Sequence, residues 1–471
     1  MIDVDAGRLR ATGRCHVSIA RAALDPAPDL RQAIERLVGR PLEGGRLDAD
    51  LDPETTAAVR DAVQMHCAGG SLAPACVPFH CFEAIRDLVR SGQLVLTVEV
   101  APIRSGSNAI LRALLHHPDV AAVAKNLARR FAAGSDRFWG SILGLYAAHR
   151  HASAPLRIVY KDHWIAMPPI LESQLLQVAG ELLLVVRDPL KVAFSVAHAF
   201  TAADELLASI VVARLPAAAT GVVELLAGYA RDAGFADWPA LQAHAARHLD
   251  YRPLEALFHR MGFDDDAAHP LAEGETGDHF ARRHPAAFLA TWSRLARLAE
   301  PTAGPPRAAV VDMTRLQLAP AETLRQLCRR LNLPYADAMR GGWQASLPGP
   351  ALRDAVLTRD VDASTGIRPP LRPTPPFDHL PRSLHGFVER AMPVYLELVQ
   401  RARTPDDDAA MERCIAADGD AVRCNPLPFY AHLSTTPRSG DDRRTARDAL
   451  RRTRPDLRGL FDRIDAWAGT V

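Results

Sequence analysis

The chain has 471 residues, enough for one large domain or two to three ordinary ones. Its apolar fraction of 48 % and charged fraction of 24 % are ordinary for a soluble globular protein. The 56 basic and 55 acidic residues leave a net charge of +1. This balance argues against a nucleic-acid binder with a phosphate-tracking basic surface and against a polybasic membrane anchor.

No segment has the sequence of a transmembrane helix. The longest uncharged run, residues 62–82, is interrupted by histidine, proline and glycine. The first ten residues include acids and have no apolar core, so they do not form a secretory signal. These features predict a cytoplasmic protein.

The seven cysteines are an odd number and follow no signal peptide, so the sequence predicts free thiols rather than disulfides. Five nearby residues could form a zinc set: His66, Cys67, Cys76, His80 and Cys81. Their spacing is not that of a standard zinc motif, and small buried thiols are the alternative reading.

Residues 1–90 are predicted to be a helical N-terminal extension. Helical periodicity covers residues 29–38, 53–65 and 82–90. Asp52 followed by proline is the pattern of an N-cap and first helical residue.

An α/β pattern begins after residue 90. Each predicted strand is a short run rich in β-branched and apolar residues, and three of the four lead into a predicted helix. The strands are expected at residues 93–101, 157–161, 181–186 and 308–312, and the helices at 110–118, 189–198 and 320–331. This alternation predicts a mainly parallel sheet with helices on both faces.

The rest of the chain is harder to interpret. Residues 201–300 are predicted to be helical and to form a cap over the carboxyl edge of the sheet, where an acceptor would bind. Residues 341–379 are rich in Pro, Gly and Arg and predict a long loop. The expected domains are 1–90, 91–400 and a loosely patterned C-terminal extension, 401–471, with one helix at 457–467.

The turn after the first parallel strand reads I-R-S-G-S-N at residues 103–108. Small residues between a buried strand and a helix direct backbone N–H groups at one point, which suits an anion. Arg104 adds a charged donor, and Ser105, Ser107 and Asn108 add neutral donors. A plain strand-to-helix connection remains the alternative. The turn lacks the Lys and hydroxyl pattern of a nucleoside triphosphatase.

A second pattern, V-R-D-P-L-K-V-A-F-S, covers residues 186–195. Arg187 ends a buried strand, and proline opens the next helix. Arg187 and Ser195 could hold a second phosphate, whereas an ordinary surface pair of Arg187 with Asp188 is the alternative.

The third pattern, Y-K-D-H, follows the strand at residues 157–161. Lys161 and His163 are two residues apart and can point the same way. A lysine and an imidazole at the carboxyl edge of a sheet suit acid–base chemistry, and a structural histidine is the alternative.

Taken together, the three patterns resemble sulfotransferases that use 3′-phosphoadenosine 5′-phosphosulfate. The resemblance covers residues 94–200 and 288–335, and it includes H-P-D-V at 117–120. It implies a P-loop-like sheet in which residues 104–108 hold the 5′-phosphosulfate. It also implies that Arg187 and Ser195 hold the 3′-phosphate. His163 would be the catalytic base, and Lys161 and Arg104 would stabilise the transferring group.

Two positions depart from the family pattern. Asn108 replaces the usual Thr or Ser, and Ala109 stands where the cytosolic members have a tryptophan that stacks on adenine. The extension at 1–90 and the insertion at 201–300 match no part of the pattern.

The resemblance implies sulfuryl transfer to a hydroxyl, or to an amide or amine nitrogen, of a small molecule. The acceptor would be a natural-product intermediate, free or bound to a carrier protein, and no metal would be needed. Two alternatives stay open: a non-catalytic nucleotide-binding scaffold, and a P-loop kinase, which the missing G-K-[ST] pattern argues against.

Overall fold

The computed structural model describes most of the chain. The described residues are 2–5, 14–19, 28–56, 58–59, 62, 81–102, 104–125, 135–149, 155–162, 167, 169–202, 222–260, 262–263, 291–300, 306–341, 367, 373–417, 419–435 and 440–470.

Eight strands form two sheets within this part of the chain. The strands are β1 Ile2–Asp5, β2 Cys15–Ile19, β3 Leu47–Leu51, β4 Leu94–Val100, β5 Ala122–Lys125, β6 Leu156–Asp162, β7 Ala179–Val186 and β8 Arg307–Asp312. The first three strands pair antiparallel in the order β1-β2-β3. The other five form an all-parallel sheet in the order β5-β6-β4-β7-β8.

Helices cover most of the remaining described residues. Those up to the last parallel strand are α1 Pro28–Val38, α2 Cys81–Arg90, α3 Ser107–Leu115, α4 Ser135–His149, α5 Pro169–Val178, α6 Pro189–Ala202, α7 Val222–Asp232, α8 Trp238–His248, α9 Glu255–Arg260 and α10 Thr291–Leu298. Those after it are α11 Met313–Leu318, α12 Pro320–Arg330, α13 His385–Ala402, α14 Pro405–Ala417, α15 Gly419–Cys424, α16 Pro426–Thr435, α17 Gly440–Thr453 and α18 Arg458–Ala468.

The parallel sheet is buried on both faces because helices cover each of them. Along β4, Leu94, Leu96 and Val98 face one apolar cluster with α4, α5 and α6. The other face packs on α3 and α12 through a second cluster. Helices on both sides explain why the strands are nearly continuous apolar runs rather than alternating ones.

The side of the sheet to which strands are added changes between β4 and β7. After β4 it runs to β5 and β6 on one side, and after β6 it continues to β7 and β8 on the other. Because α3 leaves β4 towards one face and α6 leaves β7 towards the opposite face, a crevice opens between the two strand ends. Crevices of this kind are where open α/β sheets bind ligands.

The α/β fold predicted from the sequence is confirmed. The four predicted strands correspond to β4, β6, β7 and β8, with ends shifted by one or two residues. Strand β5 was missed because it has only four residues and lies at the edge of the sheet.

The prediction that residues 1–90 form a helical extension is wrong in part, because this segment also contains three strands. Helix α1 and α2 are present, and Asp52 caps a helical turn by accepting from the backbone N of Thr55 at 2.8 Å. The three-stranded antiparallel sheet was not predicted. Its signal is the period-two alternation in β3, where Leu47 and Leu51 are buried and their neighbours are not.

The described part of the predicted cap at residues 201–300 packs against α6. Residues 222–263 pack beside the sheet, against the second half of α6. Nδ1 of His198 lies 3.0 Å from the Tyr251 hydroxyl, and Gln242 donates to the backbone O of Thr201. That residues 201–300 cover the carboxyl edge of the sheet stays a prediction. Residues 203–221 and 264–290 lie outside the described residues.

The C-terminal extension is more ordered than its sequence predicted. Residues 405–417, 419–424, 426–435, 440–453 and 458–468 form the helices α14 to α18, whereas the sequence predicted one helix at 457–467. Their core includes Tyr430 and Phe461, whose rings stack with centroids 4.1 Å apart. Helix α16 is buried nearly all round, so it lacks the polar face by which a surface helix is usually identified. Most of the predicted loop at 341–379 lies outside the described residues.

Within the described residues, none of the helices is both long enough and apolar enough to cross a membrane.

A buried polar cluster ties the amino ends of three parallel strands together. Arg157 of β6 forms an ion pair with Glu181 of β7 and donates to Thr97 Oγ1 of β4 at 3.1 Å. Its Nη2 also donates to the backbone O of Leu331, after α12, at 2.8 Å. Arg157 thus has a carboxylate counter-ion and neutral acceptors, which a buried guanidinium needs.

Replacing Glu181→Leu should leave the Arg157 guanidinium buried without its counter-ion. We expect the free energy of unfolding in urea to fall by about 3–5 kcal/mol. The double change Arg157→Met with Glu181→Leu should recover most of this loss, because no unpaired charge then remains. The exposed pair Arg463–Glu389 serves as the control, and its removal should cost less than about 1 kcal/mol. Equal losses for the buried and exposed pairs would contradict this account.

Candidate functional site

The turn between β4 and α3 has an unusual backbone conformation. Arg104 has φ 63° and Gly106 has φ 87°, both in the left-handed region. Such a φ is uncommon for a side chain as large as arginine. The two residues reverse the chain tightly, so α3 begins at Ser107 beside the carboxyl end of β4. The N–H groups at the start of α3 therefore lie at the crevice, where they favour an anion.

Gly106 is required for two separate reasons. Its positive φ disfavours any side chain. A Cβ at this position would also lie 2.7 Å from Cε of Met313, the first residue of α11. Because Met313 is buried, it would have to repack to make room.

Arg104 connects the first turn to the second motif. Its Nε donates to Oγ of Ser195 on α6 at 3.0 Å, and its backbone O accepts from Nη1 of Arg187 at 3.1 Å. The two motifs, 83 to 91 residues apart in sequence, are therefore in direct contact. Burial lowers the pKa of Arg187, and the nearby Arg104 lowers it further against the opposing effect of Asp188. The repulsion between the two guanidinium groups would be relieved by a bound anion.

Asp188 does not form a surface ion pair with Arg187. Its side chain is fully buried, and Oδ1 accepts from the backbone N of Leu190 at 2.9 Å. Asp188 therefore caps α6, which begins at Pro189. Burial raises the pKa of Asp188 to about 6, while Lys191 acts against that shift. The structure therefore contradicts the interpretation of Arg187 and Asp188 as an ordinary surface ion pair.

Lys161 of the third motif contacts the first. It is 1 % exposed near the end of β6, and its Nζ donates to Oδ1 of Asn108 at 2.7 Å. Asn108, the departure from the usual Thr or Ser, thus accepts a hydrogen bond from a cation at the floor of the crevice. His163 lies outside the described residues.

The serines of the first turn are buried. Ser105 is 0 % and Ser107 is 3 % exposed. Ser105 Oγ has no hydrogen-bond partner among the described residues, although a buried hydroxyl normally has one. The Ser105 hydroxyl, next to Arg104, is therefore suited to hydrogen-bond a ligand held in this turn.

The sequence reasoning missed one acidic residue of this region. Glu99 of β4 is fully buried, and it is the register partner of Lys161 on the adjacent strand β6. Register partners share a face of the sheet, so Glu99 brings a carboxyl group to the face that carries Lys161. The signal was a single acid in the otherwise apolar strand L-V-L-T-V-E-V.

A second missed group lies at the ends of β7 and β8. Asp312 is 4 % exposed, and burial raises its pKa. Its Oδ1 accepts from the backbone N of Thr314 at 3.0 Å and from the Tyr395 hydroxyl at 3.3 Å. Close by, Nζ of Lys191 donates to Oδ1 of Asn425 at 2.6 Å. Helices α13 and α15 thereby reach the edge of the crevice.

A cleft opens on the far side of Asp312, between that residue and the C-terminal helices. It encloses about 410 Å³, counting space open to solvent. Its lining combines apolar residues such as Leu396 and Trp467 with polar ones such as Arg403 and His432. Those polar side chains bond to one another and to neighbouring acids. The residues that line this cleft include none of the motif residues Arg104, Lys161 and Arg187.

The structure brings together the described members of the predicted site. Arg104, Ser105, Gly106, Ser107 and Asn108 form the turn, and the turn contacts Arg187, Ser195 and Lys161. The result is a crevice with three cations from three parallel strands. Chemically, such a crevice can hold two separate anionic groups of one ligand, one at each helix start.

Most of the proposed zinc set, His66, Cys67, Cys76 and His80, lies outside the described residues. Cys81 begins α2 with a fully buried side chain in the apolar core. Among the residues that the structure describes, no group of three or more His, Cys, Asp or Glu side chains could hold a metal ion.

Comparison with known proteins assigns this chain to no family. Neither the protein-family models nor the curated proteins contain a match to the chain. The resemblance to sulfotransferases therefore depends on the three motifs and on their convergence at one crevice.

Gly106→Ala should destabilise the protein more than the same change at Gly92. Both positions have positive φ, 87° and 69°, so each alanine should cost about 1–2 kcal/mol in backbone conformation. A Cβ at Gly92 meets nothing within 4 Å, whereas at Gly106 it displaces Met313. Overpacking of this kind adds about 1–3 kcal/mol. Urea unfolding of the two variants measures the difference, and equal losses would mean that Met313 moves aside freely.

Proposed function

We propose that the protein is a sulfotransferase that uses 3′-phosphoadenosine 5′-phosphosulfate. The observation that carries this proposal is the double contact of Arg104, with Ser195 and with Arg187. It supports a site for a nucleotide with two separate phosphate ends, because each end would meet its own helix start and its own arginine. A triphosphate would need the Lys and hydroxyl of a Walker motif, which the turn lacks.

In the proposed reaction, an acceptor hydroxyl or nitrogen attacks the sulfur in line with the departing phosphate oxygen. The new S–O or S–N bond forms as the S–O bond to the 5′-phosphate breaks, and adenosine 3′,5′-bisphosphate leaves. The acceptor proton passes to His163, as the resemblance implies. Arg104 and Lys161 would stabilise the negative charge on the sulfuryl and leaving oxygens, an effect that fixed cations supply without reorganising.

The resemblance assigns the acceptor to small molecules, among them natural-product intermediates that are free or carried by a protein. Of the predicted acceptor region, the described residues 222–260 and 262–263 contact α6 at His198 and Thr201. We expect the acceptor to reach the donor at the carboxyl ends of β4 and β6, where Arg104 and Lys161 lie.

One observation favours a non-catalytic scaffold as a second candidate. Lys161 is 1 % exposed and its Nζ donates to Asn108, so it is engaged by the protein itself. A cation held in this way can support the turn without touching a sulfuryl group. Transfer of labelled sulfate from the donor to a pooled cell extract would separate the two candidates, because a scaffold would bind the nucleotide and transfer nothing.

Adenosine 3′,5′-bisphosphate should stabilise the protein against thermal unfolding. At about 100 times its Kd, a ligand adds roughly 2.7 kcal/mol, which is readily seen as a shift in Tm. We expect 5′-AMP to give a much smaller shift, because it lacks the phosphate that would meet Arg187. ATP with Mg²⁺ is the second control. A larger shift with ATP would indicate a P-loop kinase, and no shift with the bisphosphate would refute the proposed function.

His163→Ala should lower the rate of sulfuryl transfer while leaving donor binding nearly unchanged. Removal of a general base typically costs about 10²–10⁴-fold in rate. His149→Ala, at the end of α4, is the matched control, because His149 hydrogen-bonds only within its own helix in the described structure. Donor affinity is measured by calorimetry and transfer by labelled sulfate. A loss of donor affinity as large as the loss of rate would contradict the role of a base.

A further inference from the structure

Helix α6 presents one partly accessible stripe, and Lys191 lies on it. The stripe consists of Lys191, Ser195 and His198, and the helix residues between them are buried. Residues four apart on a helix share a face, so Lys191 stacks one turn before Ser195, towards the carboxyl edge of the sheet. Ser195 is the residue that receives the hydrogen bond from Arg104. Lys191 therefore belongs to the face of α6 that borders the crevice.

The C-terminal helices hold Lys191 in place with a neutral partner. Asn425, 234 residues later in the chain, accepts from Nζ at 2.6 Å. Asn425 is itself fully buried, and its Nδ2 donates to the backbone O of Ala421 at 3.2 Å. Both ends of the amide are thus fixed. Asn425 orients the ammonium group without neutralising its charge.

The charges that face Lys191 come from three elements. Arg187 and Asp188 lie at the end of β7, Asp312 at the end of β8, and Cys424 at the end of α15. Asp312 is already engaged by Tyr395 and by the backbone of α11. Within the described structure, no carboxylate approaches the Lys191 ammonium within 4.0 Å. Burial and the neighbouring Arg187 lower the pKa of Lys191 to about 8.

Lys191 and Arg157 differ in their counter-ions. Arg157 is also buried, and it has the carboxylate of Glu181 as its counter-ion. At the start of α6, Arg187 and Lys191 face the same buried carboxylate, Asp188, because Asp312 is engaged by Arg315 and Tyr395. A group of cations with too few counter-ions is a site for an anion.

We propose that Lys191, positioned by Asn425, is a third cation of the phosphate subsite formed by Arg187 and Ser195, and that it binds the nucleotide's 3′-phosphate. This inference rests on the proposed function for the identity of the ligand. It makes the C-terminal helices part of the donor site, because they supply the residue that orients Lys191. Lys191 lies within the second pattern but is neither its Arg nor its Ser, so this contact goes beyond the residues that the resemblance implies.

The first test compares Lys191→Met with the wild-type protein by calorimetry. We expect adenosine 3′,5′-bisphosphate to bind at least about tenfold more weakly to the variant, since a hydrogen bond to a charged group is lost. Binding of 5′-AMP should change little. Asn425→Ala should weaken bisphosphate binding in the same selective way, and less strongly. Arg329→Met, which removes one exposed positive charge on α12, is the matched control and should leave both ligands unaffected.

The outcomes separate this inference from the proposed function. If the wild-type protein binds the bisphosphate and Lys191→Met binds it equally well, Lys191 has no role in the subsite and the function stands. Equal weakening of 5′-AMP and the bisphosphate would also overturn the inference, because the effect would not depend on the 3′-phosphate. If the wild-type protein binds neither ligand, the proposed function and the role of Lys191 both fail.

The second test uses the pH dependence of binding. A phosphate favours the protonated form of Lys191, so binding raises the pKa of Lys191 and takes up a proton above pH 8. Affinity for the bisphosphate should be nearly constant from pH 7 to 8 and then fall by up to about tenfold per pH unit. In Lys191→Met this fall should be absent. The same steep fall in the variant would assign it to another group.

Because the chain has only three lysines, the titration of Lys191 can be followed directly by NMR. Protein labelled with ¹³C at lysine Cε should give one NMR signal for each of Lys125, Lys161 and Lys191. Lys191→Met identifies the signal of Lys191. We expect it to titrate near pH 8 in the free protein and at least one unit higher with saturating bisphosphate. An unchanged titration with bound bisphosphate would refute the contact.

Discussion

The candidate site depends on the contact that Arg104 makes with two elements at once. Its side chain donates to Ser195 on α6, and its backbone carbonyl accepts from Arg187 at the end of β7. This contact is possible because β4 and β7 are parallel neighbours whose helices leave on opposite faces of the sheet. The left-handed conformations of Arg104 and Gly106 let the chain turn in the space between them. The crevice, its two helix starts and its charge all follow from this arrangement.

Clustering cations in a partly buried crevice opposes folding unless something offsets their repulsion. Buried Asp188 and Asp312 at the adjacent strand ends supply part of the offset, and both carboxyl groups have raised pKa values because of their burial. Neutral acceptors also position two of the cations: Asn108 accepts from Lys161, and Asn425 accepts from Lys191. Amide side chains fix the position of an ammonium group and leave its charge available to a ligand. Arg157 differs from these lysines because the carboxylate of Glu181 pairs with it, at the amino ends of the strands and away from the crevice.

The three expected segments of the chain share contacts rather than standing apart. The antiparallel sheet of the first 51 residues, the face of the parallel sheet that carries α6, and the C-terminal helices all contribute to one continuous apolar core. Contacts also cross the expected boundary at residue 400. Arg315 of α11 pairs with Asp407 of α14 at 2.8 Å, and Gln326 of α12 bonds to Thr404 at the same distance. The C-terminal helices are thus attached to the end of β8, where they reach Lys191.

By itself, the sequence determined the α/β class, four of the five parallel strands and the helices that follow them. Apolar periodicity is a local property, because a buried strand or helix imposes it on its own residues. It also singled out Arg104, Lys161, Arg187 and Ser195, because turn chemistry and the chemistry of phosphate binding are written in short motifs. Only the tertiary structure decided which of these residues meet. The partnership of Lys161 with Asn108, of Glu99 with Lys161 and of Lys191 with Asn425 joins residues that are 53, 62 and 234 positions apart, and depends on strand order and helix packing. No local pattern encodes such pairings, because they are fixed by how separate elements pack on one core.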